Sequence, residues 1–343
     1  MFYRKSTILI TGAAGFIGYH LIKRLLLSFP EIQIIGLDNM IDYYDVELKK
    51  WRLSQIDRII NTIQNKERWA FICEDIRDNR RINELFEKNK IDVVIHLAAQ
   101  AGVRDSIINP RQHIETNIIG FFNVLEACKK SINHLIYASS SSVYGDNTEI
   151  PFSENQKTDR PISLYATTKK TDELLAYTYS KLYGIKTTGL RFFTVYGPAG
   201  RPDMAYFKFT NQWVKGETVS LYNNGDNKRD YTYIDDIVEC IIRILLSRDK
   251  TPYAIYNIGK GHPETSIEFL SALQSALIKM NLLPKTFNYN NYTQLVEIQQ
   301  GDMKNTIADT NMFKEKFDYI PHTQLLPGLM KFVTWYKDYY SMK

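Results

Sequence analysis

The chain has 343 residues, 43 of them basic and 38 acidic, so its formal net charge is +5. A hydrophobic fraction of 44% can form a sizeable core, and this composition excludes a disordered chain, a collagen-like repeat and a disulfide-stapled miniprotein. The basic residues form no tract, which argues against nucleic acid or an anionic membrane as the main partner. The length predicts about two domains.

Metal, redox and membrane signals are weak along the whole chain. Cys73, Cys128 and Cys240 lie far apart, without a C-x-x-C pair that could form a zinc ribbon or a dithiol redox motif. The six histidines have no ligand spacing, so we predict no metal site. No signal-peptide pattern is recognisable, and no apolar stretch reaches the about 18 residues of a membrane-spanning helix. The sequence therefore predicts a soluble, cytoplasmic protein.

Short β-branched runs alternate with helix-period segments up to Arg191. The predicted strands are Ser6–Thr11, Ile32–Asp38, Trp69–Asp75, Asp92–Ala99 and His134–Ser139. The predicted helices are Gly18–Ser28, Arg80–Asn89 and Thr116–Lys130, with a polar, helical excursion at Asp42–Arg68. Continuous apolar strands of this kind are typical of a parallel sheet that is buried on both faces. The repeated βαβ pattern predicts an α/β fold with a doubly wound parallel sheet, the Rossmann architecture.

Turn signals become dense after Arg191, which marks a change of organisation. A helix is predicted at Asp235–Leu246 and a further strand at Ala254–Ile258. We therefore predict that residues 1–191 form the Rossmann domain, with a return to the sheet at about 231–260. Residues 192–230 and 261–343 are predicted to form a smaller, substrate-binding lobe.

The first strand leads into a glycine-rich turn, Gly12-Ala13-Ala14-Gly15-Phe16-Ile17-Gly18, and then into a helix. Glycines at these positions permit a tight turn, close approach of the backbone to a pyrophosphate and close packing of the helix on the strand. Asp38 ends the second strand 20 residues later, where a carboxylate accepts hydrogen bonds from a ribose diol and repels a 2′-phosphate. The pattern favours NAD binding over a plain glycine turn.

Further cofactor contacts are predicted at the ends of two other strands. Asp75 and Ile76 lie at the carboxyl end of the third predicted strand, and Leu97, Ala98 and Ala99 lie at the carboxyl end of the fourth. In this topology the carboxyl ends of the strands form the edge along which a dinucleotide lies. We therefore expect these five residues to lie at the cofactor.

Tyr165 and Lys169 open a predicted helix that runs to about Tyr183, and their spacing places both side chains on one face, one turn apart. A neighbouring ammonium and a positive nicotinamide ring stabilise a phenolate, which makes Tyr165 a candidate general base and acid. Ser140 precedes Tyr165 by 25 residues, in a serine run after the fifth strand, and can bind the same substrate hydroxyl. The structural alternatives are a packed tyrosine beside a solvated lysine, and a polar serine turn.

A set of motifs occurs in a familiar order: TGAAGFIG, IHLAAQAGV, ASSSSVYG, YATTK, LRFFTVYGP, KRDYTYIDD and YNIG. With them the chain resembles the extended short-chain dehydrogenase/reductases that epimerise nucleotide sugars, and the resemblance covers essentially the whole chain. The segments GLDNM with DYYD, and LRFFTVYGPAGRPDMA, make it most similar to UDP-glucuronate 4-epimerases.

The resemblance implies NAD-dependent conversion of UDP-glucuronate to UDP-galacturonate. Tyr165 would take the proton of the sugar 4-hydroxyl while C4 transfers a hydride to NAD, and the 4-keto sugar would receive the hydride back on its other face. Ser140 would orient the 4-hydroxyl, and Lys169 would hold the nicotinamide ribose. The further cofactor contacts that the resemblance implies are Phe16, Ile17, Asn39, Gln100, Thr116, Ser139 and Phe192.

The resemblance also implies a set of substrate contacts. A uronate carboxylate needs a cation or several donors, and arginine can bind it bidentately. The implied carboxylate and sugar contacts are Ser140, Ser141, Ser142, Tyr165, Thr194 and Arg201. The implied nucleotide contacts are Tyr222 at the uracil, Arg229 at the diphosphate, and Gln299 and Asp302 at the ribose and phosphates. A merely solvated Arg201 is the alternative.

Two other reactions and a non-catalytic role remain open at this point. Related dehydratases and decarboxylases carry an acid where this chain has Ser141 and Ser142, which favours simple epimerisation. A 4-epimerase of UDP-glucose or UDP-N-acetylglucosamine is the second possibility, and Ala199, where a bulkier residue often lies, is the departure that bears on it. A non-catalytic NAD-binding module is the third. By the same resemblance, the helices near Thr116–Lys130 and at Tyr165 would pair with a second subunit in a homodimer.

Overall fold

The computed structural model describes residues 6–130, 132–297, 301 and 303–341. The chain separates into two compact units. The first contains residues up to 148 together with 154–192 and 238–257, and the second contains 149–153, 193–237 and the residues from 258 onward. Gln299 and Asp302, two implied nucleotide contacts, lie outside the described residues.

Strands and helices alternate along much of the chain. The strands are β1 (Thr7–Thr11), β2 (Gln33–Asp38), β3 (Trp69–Cys73), β4 (Val93–His96), β5 (His134–Ser140), β6 (Thr187–Phe192), β7 (Thr194–Tyr196), β8 (Val219–Tyr222), β9 (Lys228–Arg229), β10 (Tyr231–Tyr233), β11 (Tyr253–Ile258), β12 (Glu264–Thr265), β13 (Thr293–Val296) and β14 (Asn305–Thr306). The helices are α1 (Phe16–Ser28), α2 (Val46–Ile63), α3 (Asn79–Lys88), α4 (Val103–Ile108), α5 (Pro110–His113), α6 (Phe121–Cys128), α7 (Leu164–Tyr183), α8 (Ala205–Val214), α9 (Ile234–Leu246), α10 (Ser266–Lys279), α11 (Asn311–Phe317) and α12 (Leu325–Ser341). A π-helical segment, Ile114–Gly120, joins α5 to α6.

The first unit is built on a seven-stranded sheet with the order β11-β6-β5-β4-β1-β2-β3. The neighbouring strands from β6 to β3 are all parallel. Every residue of β4 is buried, and side chains alternate between the two faces of a strand, so both faces of the sheet are covered at its centre. The chain order reverses between β1 and β4, which creates the crevice where ligands bind in open α/β sheets. The predicted doubly wound parallel sheet is confirmed.

Several predicted bounds need correction: β3 ends at Cys73 rather than Asp75, β4 ends at His96 rather than Ala99, and the helical excursion predicted at Asp42–Arg68 is helix α2. Helix α1 begins at Phe16 rather than Gly18, because Gly15 is extended (φ −73°, ψ 173°) and only the residues after it are helical. The predicted single helix Thr116–Lys130 is the end of a longer series that starts at Val103 and ends at Cys128. Pro110 opens a new helix within this series, which periodicity alone did not reveal.

The second unit contains several small sheets and an aromatic core. β7 pairs with β10 in parallel, β8 pairs with β13 in parallel, and β9 lies between β12 and β14. The ring of Phe332 contacts Tyr206 at 4.7 Å and Phe207 at 5.4 Å between ring centroids. Phe332 and Tyr336 are buried, so they belong to the core of the second unit.

Candidate active site

The glycine-rich turn between β1 and α1 is too tight for side chains. Gly12 has a φ of +72°, and a Cβ there would lie 2.8 Å from the backbone nitrogen of Ala98. A Cβ on Gly18 would lie 2.2 Å from the carbonyl oxygen of Gly12, to which the Gly15 N–H donates at 2.9 Å. The three glycines therefore let the backbone close on itself, and the first turn of α1, with Phe16 and Ile17, starts directly behind them.

Asp38 ends β2 beside this turn and is 7% exposed. Its carboxylate accepts hydrogen bonds from the N–H groups of Ala14 at 3.1 Å and Met40 at 2.9 Å, and the ammonium of Lys49 lies 3.6 Å away. The Ala14 bond ties the acid to the glycine turn. The next residue, Asn39, donates from its side-chain amide to Asp75 at 2.9 Å, so the ends of β2 and β3 are linked.

Asp75 and Ile76 lie after β3 as predicted from the sequence. Burial raises the pKa of Asp75, but hydrogen bonds from Arg77 and Asn39 outweigh it and hold this pKa below its usual value. The side chain of Ile76 fills the space beside Gly120, where a Cβ would lie 2.6 Å from its Cδ1. Because its pKa is held low, Asp75 stays ionised and can accept hydrogen bonds at this edge of the sheet.

The loop after β4 is fastened to β1. The Leu97 N–H donates to the Thr11 carbonyl oxygen at 3.2 Å, and the Ala98 N–H donates to the Thr11 hydroxyl at 3.1 Å. Ala99 follows half-buried, and Gln100 is 4% exposed. The implied cofactor contacts of this loop thus lie next to the glycine turn.

The π-helical segment links this loop to helix α7. The Asn117 side chain accepts from the Gln100 N–H at 2.8 Å and donates to the Gln100 carbonyl at 3.0 Å and the Thr168 hydroxyl at 2.9 Å. Thr116 precedes it and is half-buried. Departures of this kind from α-helical geometry are frequent at functional sites, where they turn a side chain into position.

Helix α7 carries the Tyr165–Lys169 pair. Ser163 caps the helix by accepting from the Ala166 N–H at 3.2 Å, so Tyr165 lies in the first turn and is partly exposed. Its ring is edge-on to His113, with 6.1 Å between the centroids. Lys169 is 1% exposed, one turn further, and its ammonium donates to the Ala138 carbonyl oxygen at 3.1 Å.

The Lys169 ammonium has a second, anionic partner that sequence analysis did not identify. It lies 3.1 Å from the Asp172 carboxylate, and both side chains are 2% exposed. Burial raises the pKa of Asp172 to about 7, although the Lys169 charge acts in the opposite direction. The spacing of three residues on a helix was the signal that could have identified this pair.

The serine run at the end of β5 divides between the core and the sheet edge. Ser139 is 2% exposed and donates to Glu173 at 2.7 Å, and Glu173 also receives two hydrogen bonds from Arg191 at 2.8 and 2.9 Å. Ser140 accepts from the Ser142 N–H at 3.2 Å and lies opposite Phe192 in the register of β5 and β6. Ser141 and Ser142 begin a 3₁₀ turn and are half-buried. The hydroxyl of Ser139 is therefore engaged in the core, whereas that of Ser140 lies at the strand's end.

Thr194, Arg229 and Tyr222, three implied substrate contacts, lie in the second unit. The Thr194 N–H, on β7, donates to the carbonyl oxygen of Asp230 at 3.0 Å, next to Arg229. The Arg229 guanidinium donates to the carbonyl oxygens of Lys304 at 2.7 Å and Met303 at 2.5 Å. Tyr222 ends β8 and is half-buried. The Arg229 guanidinium is thus held in position by the loop that precedes β14.

Arg201 lies in the loop between β7 and α8, in the same unit. Its guanidinium donates to both carboxylate oxygens of Asp203, at 3.0 and 2.5 Å. The pair is partly exposed, with 23% of the Arg201 side chain accessible. Ala199, two residues earlier, is 1% exposed and has a φ of +50°. Arg201 therefore has the geometry for bidentate carboxylate binding, and its own chain supplies that carboxylate here.

Residues 8–259 match the NAD dependent epimerase/dehydratase family. The chain belongs to this family. It is 45% identical to Protein CapI of Staphylococcus aureus, over 97% of this chain and 99% of that protein. It is 42% identical to UDP-glucuronate 4-epimerase 4 of Arabidopsis thaliana, over 98% of this chain and 76% of that protein. The solved structure of UDP-glucuronic acid 4-epimerase from Bacillus cereus, in complex with UDP-glucuronic acid and NAD, is similar with a TM-score of 0.86 and 31% identity, over 97% of this chain and 100% of that one.

These findings confirm that this member of the epimerase/dehydratase family is an NAD-dependent nucleotide-sugar 4-epimerase. The residues fit the cofactor, because the glycine turn leaves a cradle that any Cβ would fill and Asp38 lies beside it. Across the described ranges, no helix is long and apolar enough to cross a membrane. In the same residues no group of three or more metal-ligating side chains occurs.

Proposed function

We propose that this epimerase interconverts UDP-glucuronate and UDP-galacturonate through a 4-keto intermediate. The observation that carries the choice of a uronic acid is that the Arg201 guanidinium forms two hydrogen bonds to one carboxylate, that of Asp203, and so has the geometry to bind a uronate in the same way. A planar guanidinium recognises a carboxylate far better than it recognises the neutral hydroxymethyl group of a hexose. The similarity to UDP-glucuronate 4-epimerases supports the same choice.

The chain's own residues supply the proton chemistry. Tyr165 takes the proton of the sugar 4-hydroxyl and returns it from the same side chain, while the buried ammonium of Lys169 stabilises the phenolate. Ser140 orients the hydroxyl from the end of β5. NAD, when bound, supplies a reversible hydride acceptor, so the reaction needs no external oxidant. The glycine turn, Asp38 and the loop after β4 would hold it.

The neighbours of Ser140 argue against elimination. Ser141 and Ser142 occupy the turn after β5, and their hydroxyls are poor acids and bases at neutral pH. A carboxylate at this place would be needed for proton transfer at a second sugar carbon. Epimerisation at C4 alone is therefore the proposed outcome.

The direct test is proton NMR of the purified protein with UDP-glucuronate, first without and then with added NAD. Appearance of UDP-galacturonate supports the proposal, and its appearance without added NAD shows that the cofactor co-purifies. A Tyr165→Phe variant, which removes only the hydroxyl, is the control and should show no conversion. Conversion of UDP-glucose or UDP-N-acetylglucosamine without conversion of UDP-glucuronate would overturn the uronate assignment and leave a neutral-sugar 4-epimerase.

We also propose that the product, an activated sugar donor, is used by a glycosyltransferase of surface polysaccharide synthesis.

We further propose that the enzyme is a homodimer. The π-helical segment, α6 and α7 leave large apolar side chains exposed at Ile119, Phe122, Leu174, Tyr177, Leu182 and Tyr183. Exposed apolar clusters on consecutive helices are typical of protein–protein interfaces. A twofold pairing of these helices would cover them.

A further inference from the structure

The Lys169–Asp172 pair is a buried ion pair on the helix that carries the proposed catalytic tyrosine. The ammonium and the carboxylate are 3.1 Å apart, and each side chain is 2% exposed. Within the described part of the chain, the second carboxylate oxygen of Asp172, Oδ1, has no hydrogen-bond partner. A buried carboxylate that is half satisfied costs free energy, so its interaction with Lys169 is the main interaction that Asp172 makes there.

The pair fixes the direction in which Lys169 points. An ammonium has three N–H donors, and here the Ala138 carbonyl oxygen and the Asp172 carboxylate receive two of them at 3.1 Å each. The two anchors come from different elements, β5 and α7, so they hold the nitrogen between the sheet and the helix. The third donor is left for another partner, such as a bound ligand.

The pair also sets the charge that Tyr165 experiences. An ammonium alone would stabilise the Tyr165 phenolate by its full charge, whereas a carboxylate at contact distance offsets much of that field. We propose that Asp172 is a positioning residue that holds Lys169 by its ammonium and sets the pH at which Tyr165 becomes a base. The proposal rests on the proposed proton chemistry of Tyr165 but not on which sugar is the substrate.

Three other titratable groups near the pair are either neutral or already paired, namely Glu173, His96 and His113. Glu173, on the same helix, is held by two hydrogen bonds from Arg191 and one from Ser139. The Lys169 charge also reaches His96 at the end of β4 and His113 on α5, and burial lowers the pKa of both, so they are neutral at neutral pH.

Within the residues that the structure describes, a further titratable group near the pair comes from the sheet. Tyr137 of β5 lies near Asp172, and burial raises its pKa well above the usual value, so it too is neutral. Asp172 is therefore the acid whose charge acts directly on Lys169. Because burial raises the pKa of its carboxyl to about 7, that charge changes within the pH range of an assay.

The test compares the wild type with Asp172→Asn, which keeps the shape and removes the charge. Two quantities are measured against pH: kcat for the epimerase, and the ultraviolet difference absorbance of tyrosinate without substrate, with Tyr165→Phe as the blank. We expect the acidic limb of kcat and the ionisation of the Tyr165 phenol to move to lower pH by about half a unit to one unit, because the Lys169 charge is no longer offset. Asp172→Glu should restore the wild-type profile.

A matched control is Glu47→Gln, which removes an acid of the same i,i+3 spacing from the exposed pair Glu47–Lys50 and should move neither curve. If the Asn variant does not fold, Asp172→Ser is measured in its place with the same expected shift. Neutral variants whose two curves superimpose on the wild type overturn the proposal. Because the absorbance titration needs no substrate, a failure of the proposed sugar specificity would leave it unaffected.

Discussion

Arg201 shows how one side chain can select a sugar. Its guanidinium already binds the Asp203 carboxylate at 3.0 and 2.5 Å, so a substrate carboxylate has to replace or share an existing partner. A charge-assisted pair of hydrogen bonds contributes about 1.5–3 kcal/mol, and exchange with an internal carboxylate reduces the net gain. Selectivity for uronic acids therefore depends on the difference between two similar interactions.

Arg201→Met should consequently raise KM for UDP-glucuronate by only about threefold to tenfold and leave kcat/KM for UDP-glucose nearly unchanged. The matched control is Arg243→Met, since Arg243 is also a partly exposed arginine bound to a carboxylate, that of Glu239 at 2.9 Å. Steady-state kinetics with both nucleotide sugars measure the effect. Equal losses on the two substrates would contradict a role for Arg201 in recognising the carboxylate.

At the scale of elements, the turn between β1 and α1 depends on the absence of side chains. A Cβ on Gly18 would meet the Gly12 carbonyl oxygen at 2.2 Å, and this atom is backbone that cannot move without opening the turn. Gly184, at the end of α7, has a φ of +70° but nothing within 4 Å of a Cβ. Gly18 is thus required because there is no space for a side chain, whereas Gly184 is favoured only by its backbone conformation.

We expect Gly18→Ala to abolish co-purification of NAD and to weaken its binding in calorimetric titration by at least about a hundredfold, because the turn and the start of α1 must shift. Gly184→Ala should retain NAD and lose only about 1 kcal/mol of unfolding free energy. Wild-type NAD affinity in the Gly18→Ala protein would show that the turn does not hold the cofactor.

The same scale shows what the sequence could and could not predict. Six of the seven strands of the large sheet lie at runs that the sequence predicted, whereas β6 was not predicted, because its sequence TTGLRF is not a continuous apolar run. Asp38 lies at a predicted strand end, and Tyr165 lies at a predicted helix start. The π-helical segment was missed because Ile114–Gly120 keeps a helical composition while its hydrogen bonding changes. Asn117 and Asp172 were missed because their partners are chosen by packing, although Asp172 has the helical spacing to Lys169.

At the scale of the whole molecule, the exposed apolar residues of α6 and α7 predict the assembly state. Leu174 is 56% exposed on α7, and Leu27 is 58% exposed on α1, so they are equally accessible residues on different helices. A twofold interface buries each residue twice, at about 1.5–3 kcal/mol for a leucine. Leu174→Glu should therefore raise the dimer dissociation constant in analytical ultracentrifugation by at least about a hundredfold, whereas Leu27→Glu should not change it. Identical sedimentation of both variants and the wild type would contradict this interface.

Stability against acid is a property of the whole molecule that buried histidines control. His134, at the start of β5, is fully buried, and burial lowers its pKa to about 3; His96 shows the same shift for the same reason. A histidine whose pKa is depressed in the folded state stabilises the fold above its unfolded pKa of about 6.5, and this stabilisation is lost as the pH falls toward the folded value. At about pH 5, each of these two histidines should lower the free energy of unfolding by about 2 kcal/mol relative to its value at neutral pH.

His134→Leu removes one of these two titrating groups. Urea unfolding at about pH 7.5 and about pH 5 should show that the variant loses about 2 kcal/mol less than the wild type between the two pH values, even if it is less stable at both. His322→Leu, at a side chain that is 75% exposed, is the control and should lose as much as the wild type. An equal loss of unfolding free energy in all three proteins would mean that His134 takes up its proton in the folded state. The depressed pKa of His134 would then not be what limits stability in acid.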